Sequence, residues 1–174
     1  QPDSQVLEIG CGTGIIALGV APHVNRVVAT DICPEMVETA QAKAANLSLC
    51  NVEFHVADGY AQPFASESFD AVLVFNVFHV VREPRLLLRE ANRQLKPAGY
   101  LATATDCYDD LHSVRAWLMG MGLRLLHLVG IIPVLHFYRK GDLRRLFERA
   151  GFSVVETEVL HPAPVNYYVL GRKR

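Results

Sequence analysis

The chain has 174 residues, of which 51% are hydrophobic and 20% charged, a composition that excludes disorder and suits one domain with one packed core. Its 17 basic and 18 acidic residues give a net charge of −1, without the basic surplus that tight binding to a nucleic-acid backbone requires. The four cysteines form no C-x-x-C pair, which excludes a zinc ribbon or a redox dithiol and favours reduced thiols. We therefore predict a cytoplasmic protein with no metal site and no nucleic-acid partner.

Neither the start of the chain nor its most apolar stretch has the character of a targeting or membrane segment. The polar run from Gln1 to Ser4 leads directly into a strand-like run and does not resemble a signal peptide. Because the sequence begins without Met and without a helix before its first strand, we expect that an N-terminal segment is missing here. The apolar stretch at 123–137 is interrupted by Arg124 and Pro133. A spanning helix needs about 20 almost uninterrupted apolar residues, so no transmembrane segment is predicted.

Strand and helix signals alternate along the first two-thirds of the chain. Short apolar or alternating runs predict strands at 6–9, 26–30, 52–56, 69–75 and 100–105. Apolar residues at helical spacing predict helices at 15–20, from 34 onward and at 83–95, and a turn is predicted at 96–99. Such a series with short connections implies a parallel sheet covered by helices on both faces.

The last third has a different pattern. An apolar region at 111–137, interrupted by glycines and a proline, is typical of one or two irregular helices. Apolar residues at helical spacing from Leu143 to Ala150 predict a further helix that stops at Gly151. Strands at 153–160 and 166–170 follow, and we expect this pair to be antiparallel at the edge of the sheet.

The segment from Glu8 to Gly14 lies between a predicted strand and a predicted helix. Its glycines let the backbone approach a ligand, and the helix N-terminus offers unpaired N–H groups. Asp31 ends the second strand, where an acidic side chain can bind ribose hydroxyls. Each feature has a plainer alternative, because the glycines could form only a tight connection and Asp31 could only cap the helix at Pro34. Together they favour a ligand that contains a nucleoside.

Two details distinguish between nucleoside ligands. The dinucleotide fingerprint G-x-G-x-x-G requires a glycine where this chain has Ile15. A carboxylate at Glu8 would repel a pyrophosphate but could receive an ammonium group. The pattern therefore favours a cationic or zwitterionic nucleoside over NAD.

The run Val6-Leu7-Glu8-Ile9-Gly10-Cys11-Gly12-Thr13-Gly14 resembles motif I of class I S-adenosylmethionine-dependent methyltransferases, in the small-molecule, methyltransferase type 11-like branch. The resemblance extends to Val169 and includes segments 58–59, 69–72, 95–101 and 143–152. It implies an α/β, Rossmann-like three-layer sandwich whose mostly parallel seven-stranded sheet has an antiparallel last strand. It also implies a single domain over 1–174, with a helical, apolar insertion around 111–138 and a missing N-terminal lid.

The resemblance further implies S-adenosylmethionine as cofactor and assigns roles within its site. Backbone atoms of the glycine turn would approach the methionyl part, with the Glu8 carboxylate near its amino group and the Asn76 carbonyl also directed at it. Asp31 would bind the ribose, and Asp58 the exocyclic amine of adenine. The remaining residues that the resemblance places in the cofactor site are Gly10, Cys11, Gly12, Gly14, Ile32, Met36 and Gly59. A turn at Asp58 and a strand-end cap at Asn76 are the plainer alternatives.

A catalytic base is needed only where the acceptor is a poor nucleophile, and His79 is the first candidate because an imidazole titrates near working pH. Asp106 and Tyr108 also follow a strand at the carboxyl edge of the sheet. Packing of His79 and ordinary solvation of Asp106 and Tyr108 are the competing interpretations.

Two features of the sequence predict the kind of methyl acceptor. The run from Asn76 to His79 lacks the Asn/Asp-Pro-Pro-Tyr pattern of enzymes that methylate nucleobase or glutamine amines. The apolar region at 111–138 suits a roof over an apolar acceptor, with weak membrane-surface contact as the accompanying hypothesis. Ordinary core packing, or packing on the missing N-terminal segment, is the competing interpretation. We predict methyl transfer to a small, apolar acceptor; the alternative is a non-catalytic S-adenosylmethionine-binding sensor or partner subunit.

Overall fold

The computed structural model describes residues 2–107, 118, 121–122, 125–126, 136, 138–162 and 165–174. Its strands are β1 Gln5–Ile9, β2 Arg26–Asp31, β3 Val52–Val56, β4 Phe69–Phe75, β5 Leu95–Cys107, β6 Phe152–Pro162 and β7 Val165–Lys173. Its helices are α1 Ile15–Val20, α2 Pro34–Asn46, α3 Pro84–Gln94 and α4 Lys140–Arg149, with a short 3-10 turn at Ala21–His23.

The strands form one seven-stranded sheet in the order β3-β2-β1-β4-β5-β7-β6. The pairs among β1 to β5 are parallel, whereas β7 runs antiparallel to both β5 and β6. The predicted mostly parallel sheet with an antiparallel last strand is confirmed. β7 lies one place in from the edge and β6 is outermost, in keeping with the burial of Val165 and Val169 in β7 and the exposed side chains of β6.

Helices cover both faces of the sheet, as the strand and helix signals predict. One core cluster packs α3 and α4 on the sheet through side chains such as Leu87, Leu88 and Phe147. The second packs α1 and α2 on the other face, through Leu18 and Val37 among others. Because the parallel strands β1, β2 and β4 end at the same edge, the loops that follow them meet there.

The segment at 96–99, for which a turn is predicted, lies inside β5 as an irregularity of the ladder. Leu95 pairs with Phe69, and the next pair joins Tyr100 to Ala71, so the intervening residues bulge out of register. Ala98 has φ 61° there. The backbone does turn locally, but the strand continues on both sides of the bulge.

Most of the apolar insertion around 111–138, and Tyr108, lie outside the described residues, so the structure does not bear on the predicted roof or on Tyr108. In the described portion of the chain, no helix is long and apolar enough to cross a membrane.

Candidate cofactor-binding site

The loop after β1 is held tightly against its neighbours. The backbone N–H groups of Gly10 and Cys11 donate to the carbonyl of Thr30, at 2.7 and 2.9 Å. Gly10 has φ +77°, and a Cβ there would lie 2.4 Å from Cγ2 of Val77. Gly12 has φ +51°, yet among the described residues no atom beyond its chain neighbours lies within 4 Å of where its Cβ would be. Packing therefore explains the glycine at position 10, whereas the open space beside Gly12 leaves room for a ligand.

Asp31 braces this loop from the end of β2. Its carboxylate accepts hydrogen bonds from the backbone N–H groups of Gly12 at 2.7 Å and Cys33 at 3.0 Å. The residue that caps α2 is Cys33, and no side chain forms a capping hydrogen bond there. Asp31 therefore does not cap the helix, and the alternative interpretation as a cap is wrong. Each carboxylate oxygen keeps a lone pair for a further donor.

The Glu8 side chain is buried beneath the same loop, with only 2% of its surface exposed. Its Oε2 has no hydrogen-bond partner among the described residues. Burial raises the pKa of Glu8 to about 8, the negative charge of Asp31 adds to the effect, and a hydrogen bond from the backbone of Ala17 opposes it. A buried acceptor without a donor is costly, so this carboxyl group suits a ligand that brings its own positive charge.

Two cavities open at the carboxyl edge of the sheet. The first, of about 560 Å³, is lined at one end by Glu8, Gly10, Cys11 and Gly12, and it also includes Asn166. The second, of about 450 Å³, is lined by residues from four loops, among them Asp31, Ile32, Asp58, Gly59 and Val80. Gly10 and Asn76 border both cavities. A single elongated ligand could therefore occupy the two together.

Most of the predicted cofactor residues thus come together, with two exceptions. Gly14 lies behind the loop, where a Cβ would meet side chains of Ala40 and Phe54 at 2.9 Å. Met36 is exposed on the first turn of α2 and does not line either cavity. Ile32 does line the second cavity, although 71% of its surface is exposed.

Asp58, in the loop after β3, takes part both in a turn and in the lining of a cavity, the two alternatives that the sequence left open. One oxygen of Asp58 accepts the backbone N–H of Tyr60 at 2.9 Å, so a turn does form at this aspartate. Asp58 also lines the second cavity beside Gly59. The turn and a ligand contact are compatible here, because a carboxylate has capacity for several donors.

Asn76 stands at the end of β4 with φ +55°, and its backbone N–H donates to the carbonyl of Ala104 at 2.7 Å. Its Oδ1 accepts a hydrogen bond of 3.0 Å from Nδ2 of Asn166 in β7. The same Nδ2 donates to Oδ1 of Asp106 at 2.7 Å. Asn166 is a site residue that sequence reasoning missed, because no motif marks it and only the pairing of β5 with β7 brings it here.

His79, the candidate base, is half-buried just beyond the second cavity. Burial lowers the pKa of its imidazole, while the negative charge of Asp106 acts in the opposite direction. His79 does not line either cavity, although its neighbours Val80 and Val81 line the second. Its backbone carbonyl accepts the N–H of His136 at 2.7 Å. His79 is therefore not among the described residues that line the two cavities, and its role as a base stays a prediction.

The three-layer fold, the glycine turn after β1 and the acidic residue after β2 define a doubly wound protein that binds a nucleoside cofactor. Residues 7–103 match the methyltransferase domain family Methyltransf_11, and the chain belongs to that family. It is a class I methyltransferase domain, and the cofactor of that class is S-adenosylmethionine.

Two curated proteins illustrate what the chain is similar to. The chain is 31% identical over its whole length to an uncharacterized 37.1 kDa protein in a transposon of Streptomyces fradiae, covering 52% of that protein. Over 88% of the chain it is 28% identical to a malonyl-[acyl-carrier protein] O-methyltransferase of Paenibacillus sp., covering 56% of it. The chain spans about half the length of such curated relatives.

A solved S-adenosylmethionine-dependent methyltransferase from Aquifex aeolicus shares the fold over the whole chain, with a TM-score of 0.79. The chain covers 84% of that structure at 22% identity.

Proposed function

We propose that residues 1–174 form one methyltransferase domain that transfers a methyl group from S-adenosylmethionine to a small, apolar acceptor. The observation that carries the proposal is the pair of neighbouring cavities that share Gly10 and Asn76. Glu8, whose buried Oε2 has no hydrogen-bond partner among the described residues, lines the first cavity, and Asp31 lines the second. A zwitterionic nucleoside supplies a cation for the first position and ribose hydroxyls for the second.

In this assignment the first cavity holds the methionyl half of the cofactor and the second holds the nucleoside. Glu8 receives the ammonium group, and the backbone of Gly10 to Gly12 and the Asn76 carbonyl border the amino-acid end. Asp31 binds the ribose, while Ile32, Asp58 and Gly59 surround the adenine, with Met36 at the rim. Gly14 supports the turn from behind.

When bound, S-adenosylmethionine supplies a methyl group that its sulfonium already activates. The residues of this chain then have to align the acceptor and exclude water, and alignment alone contributes about 7–11 kcal/mol in well-oriented reactions. Phe75, Ala104 and Leu160 give the first cavity an apolar wall, which favours an apolar acceptor. The net charge of −1 argues against a nucleic acid in that role.

The first experiment is calorimetric titration with S-adenosylhomocysteine, beside NAD, on the wild type and on Asp31→Ala. We expect micromolar binding of S-adenosylhomocysteine, its loss in the variant and no binding of NAD. Failure of the wild type to bind S-adenosylhomocysteine would refute the cofactor assignment. Binding of NAD with similar affinity would favour an oxidoreductase instead.

A non-catalytic S-adenosylmethionine-binding module is the second candidate, and it is favoured by the absence of His79 from the described residues that line the two cavities. If His79 moves to act as base, His79→Ala lowers turnover of a hydroxyl acceptor without weakening S-adenosylhomocysteine binding. If a panel of hydroxyl, amine and thiol acceptors gives no methylated product while the cofactor binds, the module is the better description.

A further inference from the structure

The last strand contributes a side chain to the site that neither the glycine turn nor the acidic positions explain. Asn166 faces Asp106 across the antiparallel pairing of β7 with β5. Its single amide nitrogen donates to Oδ1 of Asp106 at 2.7 Å and to Oδ1 of Asn76 at 3.0 Å. Three strands that are far apart in sequence are thus joined by side chains at the carboxyl edge of the sheet.

The orientation of the Asn166 amide follows from chemistry. An ionised carboxylate can only accept hydrogen bonds, so the side of Asn166 that faces Asp106 must be its NH₂ group. The same group then meets Asn76, whose oxygen is the only side-chain atom able to accept from it. With its oxygen so engaged, Asn76 retains its own NH₂ group as a donor.

The position of Asn76 makes the orientation of its side chain important for ligand binding. It borders both cavities, and its left-handed backbone conformation turns it out of the strand. An asparagine side chain at an exposed strand end would otherwise sample several rotamers and both amide orientations, at an entropic cost on binding. The hydrogen bond from Asn166 removes that freedom before a ligand arrives.

We propose that Asn166 is a positioning residue that, through Asn76, orders the wall of the cavity for the aminoacyl end of the ligand. This inference rests on the proposed function, because it takes the first cavity as the site of the methionyl half. Asn166 itself lines only that cavity, and the nucleoside half lies against other loops. The effect is therefore specific to one half of the ligand.

The test compares two ligands that differ in that half. S-adenosylhomocysteine carries the aminoacyl end, whereas 5′-methylthioadenosine retains the nucleoside and the sulfur without it. For Asn166→Ala we expect the Kd of S-adenosylhomocysteine to rise about 3- to 10-fold, the worth of one net hydrogen bond. The Kd of 5′-methylthioadenosine stays within about twofold of the wild type, which also shows that the variant is folded.

Asn92→Ala is the control, since the Asn92 amide also donates a hydrogen bond between distant segments, to the carbonyl of Ala150 at 3.2 Å, and lines neither cavity. We expect Asn92→Ala to leave the Kd values of S-adenosylhomocysteine and 5′-methylthioadenosine unchanged. A double-mutant cycle with Asn76→Ala separates action through Asn76 from a direct effect. In the Asn76→Ala background, the further change Asn166→Ala has no effect on S-adenosylhomocysteine.

Three results would overturn the proposal: equal weakening of both ligands, no weakening of either, or additive effects in the cycle. Absence of S-adenosylhomocysteine binding by the wild type overturns the proposed function along with it. Wild-type binding that Asn166→Ala leaves intact overturns the positioning role alone.

Discussion

Glu8 makes the stability of the ligand-free protein depend on pH in a way that can be calculated. Its pKa is raised from 4.5 to about 8 by burial of the carboxyl group. Between these values the unfolded chain has released the proton and the folded protein still holds it. The unfolded state therefore binds fewer protons, and the contribution of Glu8 makes the free energy of unfolding fall as the pH rises through this window.

The size of the effect follows from the width of the window. One pKa unit corresponds to about 1.4 kcal/mol, so by pH 7 the contribution of Glu8 has lowered the free energy of unfolding by about 3 kcal/mol. Glu8→Gln keeps the shape of the side chain and removes the ionisation. Relative to the wild type, the variant should gain about 3 kcal/mol between about pH 4.5 and pH 7.

Urea denaturation at several pH values measures this difference, with Glu38→Gln, an exposed carboxyl on α2, as the control that should show no such trend. A stability difference between Glu8→Gln and the wild type that is the same at about pH 5 and about pH 8 would refute the assignment of the raised pKa.

Ligand binding offers an independent check of the same group. If Glu8 receives an ammonium group, it ionises in the complex, and S-adenosylhomocysteine binding at neutral pH releases a proton from the wild type and not from Glu8→Gln. Titration in two buffers of different ionisation enthalpy counts the protons. No proton release from the wild type would mean that the ammonium group is held elsewhere.

Gly10→Ala should lower the free energy of unfolding by about 2–4 kcal/mol, since the new Cβ would clash with Val77 at a positive φ. Gly12→Ala should lower it by only about 1 kcal/mol, through backbone strain, but raise the Kd of S-adenosylhomocysteine about tenfold. Denaturation and calorimetry on both variants measure these two effects. Equal losses of stability in the two glycine variants would contradict this account. Glu90→Ala should lower the free energy of unfolding by about 2–4 kcal/mol, because the buried Glu90 carboxylate accepts hydrogen bonds from the Gln62 backbone, Arg93 and Gln94. The control Glu148→Ala breaks an exposed pair with Arg144 and should lower it by about 0.5 kcal/mol or less. His136→Phe removes the 2.8 Å contact between Nε2 and the carbonyl of Val81, which lines the second cavity, and should raise the Kd of S-adenosylhomocysteine about 3- to 10-fold. His23→Phe, at an exposed histidine, is the control. An unchanged Kd in His136→Phe would show that the cavity does not depend on this contact.

Local patterns were sufficient for the first half of the fold. The strands ending at Ile9 and Phe75 are short apolar runs with clear stops, and Pro34 marks the start of α2, so their bounds agree with the structure to within a residue or two. The bulge at 96–99 could not be predicted, because the same four residues satisfy a turn until the pairing of Leu95 and Tyr100 with β4 shows that the strand continues.

Some residues of the site could likewise be placed from local patterns, whereas others could not. Glu8 lies in β1, Gly12 in the loop that follows it, and Asp31 at the end of the neighbouring strand β2, so local patterns are enough to predict that they meet. His79 was chosen for its chemistry and its nearness in sequence to Asn76, and neither property could show that it is not among the described residues that line the two cavities.

The sequence by itself determined the α/β fold class and a site for a nucleoside ligand, because glycine conformations and strand-end carboxylates act over a few residues and leave a readable spacing. The resemblance of the glycine run to motif I added the family and the cofactor. Only the tertiary structure decided that Glu8 is buried with its Oε2 unbonded among the described residues, that Asp31 accepts hydrogen bonds from the glycine turn, and that Asn166 bonds to Asn76. Those facts depend on burial and on the register between strands far apart in the chain, which only the folded sheet establishes.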